Sequence, residues 1–293
     1  MAVPVIIDTD IGDDIDDALA LAMALRSPEV ELLAVTTVFQ RAELRARLAL
    51  LLLEAYGRPE IPVHVGADRP LLGSVRPDWA PNQAGALEGG PVGSPAAGHA
   101  AEILVREGMR RDDLVLVAVG AMTNVALAFA LEPRLAERVR VVAMAGAWDR
   151  GGPEWNVQCD PEAVAAVLAA GARVDFVGLD VTTKVVLRDR DLRTLASARG
   201  AAEQALTRFV RAWQRGWDRD EGFCPVLHDP LAVAAVFRPE LLTWREAAVA
   251  VELGSPLVRG QTVARGGVAP NARIAVGVDA EAFLNLFGER VCR

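Results

Sequence analysis

Val5-Ile6-Ile7-Asp8-Thr9-Asp10-Ile11-Gly12-Asp13-Asp14-Ile15-Asp16-Asp17-Ala18-Leu19-Ala20-Leu21 is the stretch on which the reading of this chain turns. Val5 to Ile7 form a β-branched run suited to a buried strand, and Gly12 breaks it. Ala18, Leu19, Leu21, Ala22 and Leu25 then mark the apolar face of a helix. Six aspartates fall between residues 8 and 17, where the strand's carboxyl end meets the helix's amino end. In an open parallel sheet that edge is where ligands bind. Capping by Asp13 or Asp14, favoured by the helix dipole, accounts for one or two of them. It does not account for the whole cluster, because crowded carboxylates repel and raise one another's pKa unless a cation joins them. A hard divalent cation held by oxygens is the better reading.

The pattern repeats outward from this unit. Glu31 to Val38 reads as a second strand, Ala42 to Tyr56 as a helix stopped by Gly57 and Pro59, and Ile61 to Val65 as a short third strand. Residues 66 to 98 are irregular, with Trp79, Asn82, Gln83 and Glu88 among them. A loop of that length inside a compact domain is usually functional, and it is expected to wall the site. Regularity returns with a helix from His99 to Glu107, a strand from Leu114 to Val119, a helix from Asn124 to Leu131 and a strand from Val139 to Met144. Trp148 to Cys159 is irregular, Pro161 to Ala170 is a helix that Asp160 can cap, and Val174 to Leu179 is a strand. Asp189 to Trp217 is helical, Leu231 to Phe237 a short helix, Ala247 to Leu253 and Ile274 to Val278 late antiparallel strands, and Glu281 to Phe287 the closing helix. Alternating β and α elements, with strands apolar on both faces, predict an α/β fold: one domain over residues 1–293, with a mostly parallel, doubly wound sheet flanked by helices.

Composition narrows the function. The chain has 293 residues and a formal net charge of −8, with Arg scattered rather than striped, so nucleic acid and anionic membrane are poor partners. Cys159, Cys224 and Cys292 form no disulfide framework and no zinc spacing, and an odd count suits a reducing compartment. The first strand begins within a few residues of Met1, leaving no room for a signal peptide. Apolar Leu48 to Leu53 is bracketed by Arg45, Arg47 and Glu54, far short of a membrane span. The expected location is cytoplasmic.

Three further sets can carry chemistry: Gly120-Ala121-Met122-Thr123-Asn124, Glu154-Trp155-Asn156 and His228-Asp229. The first is a strand-to-helix turn able to offer a carbonyl to a cation. The second puts a carboxylate and an amide two apart in an extended loop, suited to hydroxyl groups. The third pairs a titratable imidazole with a carboxylate at a helix start. His64 and His99 read as structural. No Gly-x-Ser-x-Gly, Walker or Rossmann glycine pattern occurs.

Together these blocks resemble the inosine-uridine-preferring nucleoside hydrolases. The acidic signature through Ala18-Leu19-Ala20 carries the likeness. It continues through Val35-Thr36-Thr37-Val38, Gly120 to Asn124, Glu154-Trp155-Asn156 with Asp160-Pro161-Glu162-Ala163, and Leu227-His228-Asp229-Pro230-Leu231-Ala232. The resemblance implies an N-ribohydrolase with one bound Ca2+ at the carboxyl end of the sheet, acting on a small nucleoside or related riboside as a homodimer or homotetramer. By motif, Asp10, Asp17, Asp229 and the Thr123 carbonyl would hold the metal, with ribose hydroxyls and a water completing its shell. Asp10 would also take a proton from that water. Asp16, Glu154 and Asn156 would bind ribose hydroxyls, and His228 would protonate the leaving base.

This chain departs from the family at several places, among them a shorter loop ahead of the Glu-x-Asn block and a 66 to 98 loop without the His that some members bring to the leaving group. The acidic signature is two residues longer than the commoner form; Ala18-Leu19-Ala20 aligns Asp16-Asp17 with the functional pair, and Asp13-Asp14 is the alternative pair. Gln40-Arg41 stands where Gly-Asn or Gly-Asp is usual. Trp148 stands where many members carry Asn ahead of the Glu-x-Asn block, and is taken as a further substrate contact. Trp79, Trp155, Trp213, Trp217 and Phe223 also lie in or beside irregular segments, and at most two of these aromatics are expected to touch a base. Two rivals remain. One is a calcium-dependent riboside binder that has lost turnover. The other is a haloacid-dehalogenase-like phosphohydrolase with Asp8 as nucleophile, for which Lys184 is the only lysine in the chain.

Overall fold

The computed structural model describes residues 2–73, 81–88 and 93–293. Among them the strands are β1 (Val3–Thr9), β2 (Val30–Thr37), β3 (Val63–Val65), β4 (Val115–Ala118), β5 (Arg140–Ala143), β6 (Arg173–Phe176), β7 (Leu242–Val251), β8 (Thr262–Arg265) and β9 (Ala272–Val278). They join in one sheet in the order β3-β2-β1-β4-β5-β6-β9-β7-β8. Every pairing from β3 to β9 is parallel, and β7 runs antiparallel to both β9 and β8. The α/β, doubly wound architecture expected from the alternation is therefore the one observed.

The strand order explains where a site can form. From β1 the chain winds outward through β2 and β3, then returns to β4 and winds the other way, so the order reverses between β1 and β4. Crossovers on opposite faces diverge there and leave a crevice above the carboxyl ends of the strands. Register aligns those ends: Asp8 pairs with Thr36 and Ala118, and Ala118 with Ala143. The residues just past them, including Asp10 and Val119, are held at one edge.

Helices cover both faces: α1 (Asp16–Leu25), α2 (Ala42–Ala55), α3 (Ala100–Arg110), α4 (Thr123–Leu131), α5 (Leu135–Arg138), α6 (Trp155–Cys159), α7 (Pro161–Ala169), α8 (Leu179–Thr182), α9 (Asp189–Ser197), α10 (Ala201–Gly216), α11 (His228–Phe237) and α12 (Ala280–Val291). One core packs α1, α2 and α9 to α12 against alternate residues such as Val5, Ile7 and Val117, and the other packs α3, α4, α5 and α7 against Ile6, Leu116 and Val141. This is the period-2 alternation of strands buried on both sides. No helix among the described residues is long and apolar enough to cross a membrane.

Several local expectations need correction. The helical pattern over Asp189 to Trp217 is two helices, because Ala198 and Gly200 adopt extended backbone between α9 and α10. The Glu154-Trp155-Asn156 block is not an extended loop: Glu154 caps the short helix α6 and accepts from the Asn156 and Val157 N–H groups. β6 stops at Phe176, and Leu179 instead opens α8. β8 was missed because it is a four-residue edge strand that exists through its antiparallel pairing with β7. Of the irregular 66 to 98 stretch, Trp79 lies outside the described residues. No described residue of that stretch lines the main cavity. Instead Gln83 braces the acidic turn, its N–H donating to the Gly12 carbonyl at 2.9 Å and its amide to the Asp14 carbonyl at 2.6 Å. His99 is structural as expected: it is the N-cap of α3, in a capping box with Glu102.

Candidate active site

A cavity of about 490 Å3 opens at the strand-order reversal. Asp10, Asp13, Asp14, Asp16 and Asp17 from the acidic turn and His228 and Asp229 from the start of α11 contribute to it. Pro153, Glu154, Trp155 and Asn156 form another side, with Val119, Met144, Leu179 and Trp217 completing the lining.

Asp16 and Asp17 occupy the first turn of α1 and Asp229 that of α11, so two helix amino ends converge on the cluster. Neither Asp13 nor Asp14 is the N-cap residue; that position is Ile15, without a side-chain cap, while Asp14 Oδ1 accepts from the Ile15 N–H at 2.7 Å. The Asp13 carboxylate is instead paired with Arg45, 2.7 Å away. Behind the cavity, and not among the residues that line it, buried Asp8 accepts on one oxygen from the Thr36 hydroxyl at 2.6 Å and the Asn124 amide at 2.8 Å, which makes it a brace between β1, β2 and α4. Gly120 is required at the β4 end: a Cβ there would lie 2.9 Å from Asp10 Oδ1.

The donor set tests whether a metal fits. Asp16, Asp17 and Asp229, all buried, each offer an oxygen within 4.8 Å of the others. Burial and mutual repulsion push all three carboxyls well above their ordinary pKa. Burial likewise lifts Asp10 to about 7, partly opposed by Arg45, and lifts Glu154 to about 7. A set of hard oxygens that can ionise together only with a countercharge fits a divalent cation. Asp10 is not one of the converging trio. Thr123, the first residue of α4, directs its hydroxyl to Asp160 Oδ2 at 2.7 Å.

On the opposite wall, Glu154 accepts from the N–H groups of Asn156 at 2.8 Å, Val157 at 3.1 Å and Gly146 at 3.2 Å. The Asn156 amide donates to the Val119 and Met144 carbonyls at 2.9 and 3.0 Å, which anchors it and leaves its oxygen for a ligand. His228 Nδ1 lies 2.7 Å from the Thr182 hydroxyl, and burial lowers its pKa to about 4, so the imidazole is neutral near pH 7.

The aromatics divide in a way no local pattern indicates. Trp155 and Trp217 line the cavity. Trp213 packs on Phe223, ring centroids 5.7 Å apart, in the core. Trp148 does not line the cavity; its indole meets Phe176 edge-on at 5.7 Å. Arg45 was missed altogether, because within the apolar pattern of α2 it is indistinguishable from surface arginines such as Arg47.

This fold and site define an α/β protein with a buried, cation-fitting acidic cavity at the carboxyl edge of its sheet, and three comparisons identify it as an enzyme acting on N-glycosyl bonds. The family model described as inosine-uridine preferring nucleoside hydrolase matches residues 5–285. The chain belongs to that family. It is 35% identical to a pyrimidine-specific ribonucleoside hydrolase of Salmonella agona, covering 99% of both chains. It is also 35% identical to a probable uridine nucleosidase of Oryza sativa subsp. japonica, over 84% of this chain and 80% of the relative. Among solved structures, a plant nucleoside hydrolase superposes with a TM-score of 0.87 at 29% identity, covering 100% of this chain and 99% of that one. An inosine-guanosine nucleoside hydrolase does so at 0.85 and 28%, covering 98% of each.

Proposed function

We propose that this enzyme is a calcium-dependent ribonucleoside hydrolase that releases free base and ribose. The observation that carries the reading is the convergence of Asp16, Asp17 and Asp229 on the floor of a cavity whose facing wall is Glu154 and Asn156. Asp17 and Asp229 would hold the cation, together with Asp10 and the Thr123 carbonyl. When bound, calcium would polarise a water and orient the ribose diol.

Asp10 takes the proton of the attacking water as its oxygen bonds to C1′ and the C1′–N bond breaks. Asp16, Glu154 and Asn156 accept from or donate to ribose hydroxyls and fix the ring. As positive charge builds on the ribose, the surrounding carboxylates stabilise the transition state more than the ground state. His228, neutral and oriented by Thr182, donates a hydrogen bond to the base, which departs with the electron pair of the C1′–N bond as an anion and takes its proton from solvent, to which Asp10 returns the one it took from the water. Trp155 and Trp217 offer apolar faces for the base. The same reading takes the enzyme to be cytoplasmic and homo-oligomeric, in keeping with its free cysteines.

A panel of purine and pyrimidine nucleosides, assayed for released reducing sugar with and without chelator, tests it. Uridine leads the panel because two relatives are named for uridine or pyrimidine substrates. Metal-dependent sugar release supports the hydrolase. Tight nucleoside binding without release would instead support the riboside-binding alternative.

A further inference from the structure

Arg45 is the largest of the fully buried side chains, and it sits under the acidic turn, not on the surface. Its guanidinium makes hydrogen bonds from every nitrogen. Nε donates to the Phe39 carbonyl at 2.6 Å and the Gln40 carbonyl at 2.8 Å. One terminal nitrogen donates to the carbonyls of Asp10 and, at 3.2 Å, Ile11; the other meets Asp13 Oδ2 at 2.7 Å.

The backbone it grips is unusual on one side. Phe39, Gln40 and Arg41 have φ of 63°, 29° and 61°, a run of left-handed residues without glycine. The other side of that turn is tied down by the Ala67 and Asp68 carbonyls, which accept from the Phe39 and Gln40 N–H groups at 2.8 and 3.0 Å. These contacts join the left-handed Phe39–Arg41 turn to the acidic turn that contains Asp13. A buried cation with a planar fork, five N–H donors and no surface exposure is suited to holding several acceptors at fixed angles; a lysine supplies the same charge as a point.

We propose that Arg45 is a positioning residue of the active site: by joining the Phe39–Gln40 turn to the Asp10–Ile11 backbone and to Asp13, it sets the place of Asp10 relative to Asp16, Asp17 and Asp229. Asp13, one member of the lengthened turn, is then an anchor for Arg45 and not a ligand. The kinetic part of this rests on the hydrolase reading, and the metal-binding part on the calcium site of that reading alone.

Arg45→Lys, Asp13→Asn and the double variant test it on the full chain, stripped with chelator and titrated with Ca2+ by calorimetry, with melting temperature and nucleoside turnover measured in parallel. Arg45→Lys keeps the charge and loses the fork, so Ca2+ binding weakens by about 10-fold and kcat falls by roughly 30-fold while KM stays within about 3-fold. Asp13→Asn gives the same pattern at about 3- to 5-fold, and the double variant is no worse than Arg45→Lys alone, because both act through one bridge. A lower melting temperature with Ca2+ affinity and kcat unchanged overturns the proposal and makes Arg45 a fold staple. If Arg45→Lys does not fold, an Asp13→Asn protein with wild-type Ca2+ affinity overturns it equally. Wild-type protein that binds Ca2+ but releases no sugar removes the hydrolase reading, while the calorimetric comparison still decides the role of Arg45.

Discussion

The hydroxyl of Thr9 donates a hydrogen bond to Oδ1 of Asp17, eight residues further along the chain. Thr9 ends β1 and Asp17 lies in the first turn of α1, so this bond closes the acidic turn on itself. The same hydroxyl accepts from the Ile11 N–H at 3.1 Å. Thr9→Val keeps the shape and removes both bonds. Calorimetry should then show Ca2+ affinity lower by about 10-fold or more, the scale on which partners of metal ligands act. Unaltered affinity would show that α1 alone places Asp17.

Asp10→Ala should abolish sugar release, with kcat down by at least about 100- to 10,000-fold, the usual worth of a positioned base. Circular dichroism and melting should remain native, since Asp10 lies beyond β1 at the cavity. Turnover at the wild-type rate on a confirmed substrate would move the base elsewhere.

The carboxyls of Asp10 and Glu154 are each raised by burial to about 7. An unfolded carboxylate titrates near about 4, so the folded state favours the protonated forms. Their contribution to stability is full below the unfolded pKa and is lost as pH rises through about 7. Chelator-treated protein should therefore melt at falling temperatures from about pH 5 to about pH 8, and saturating Ca2+ should flatten the decline by replacing the protons. Scanning calorimetry showing a flat profile without metal would contradict this.

His228 has a pKa lowered by burial to about 4, with Arg150 adding to the effect, so it carries no charge through neutrality. On the proposed reading a neutral imidazole acts by donating a hydrogen bond to the leaving base. His228→Ala should reduce kcat by roughly 10- to 100-fold, with the shape of the pH–rate profile unchanged between about pH 6 and about pH 8. An inflection near the ordinary imidazole pKa that disappears in the variant would restore the proton-transfer role.

Trp217 lines the cavity yet is 49% exposed, and its indole N–H reaches the Asp13 carbonyl at 3.4 Å. A partly open ring at a cavity mouth suits a stacking face. Trp217→Ala should raise KM by about 5- to 30-fold with kcat little changed, matching roughly 1–2 kcal/mol of base stacking. Steady-state kinetics on uridine and inosine would show which base uses the face. Equal KM values for wild type and variant on both would assign Trp217 to packing alone.

The legible parts of this molecule are those governed by short-range pattern. Val5 to Ile7 and Leu114 to Val119 are apolar without interruption, and Val139 to Met144 is broken only by Arg140, which pairs with Asp175, because parallel strands here are covered on both faces; each run contains a strand of the sheet. The acidic turn is legible because so many carboxylates have no reason to crowd a single helix start without a cation. β8 and the break between α9 and α10 were not legible: one depends on an antiparallel partner, the other on a two-helix packing that local helical periodicity does not reveal.

By itself the sequence determined the α/β class and the sheet edge at which the acidic turn lies. Only the tertiary structure decided how the residues there are used. It brings Asp16 within reach of Asp229, 213 residues away, and assigns Asp13 to Arg45. It turns Trp155 and Trp217 toward the cavity while Trp148 packs on Phe176. The reason is physical: hydrophobic period and turn chemistry act over a few neighbouring residues. The shared burial of charges, and the countercharge each must find, are set by chain segments that meet only once the sheet is wound.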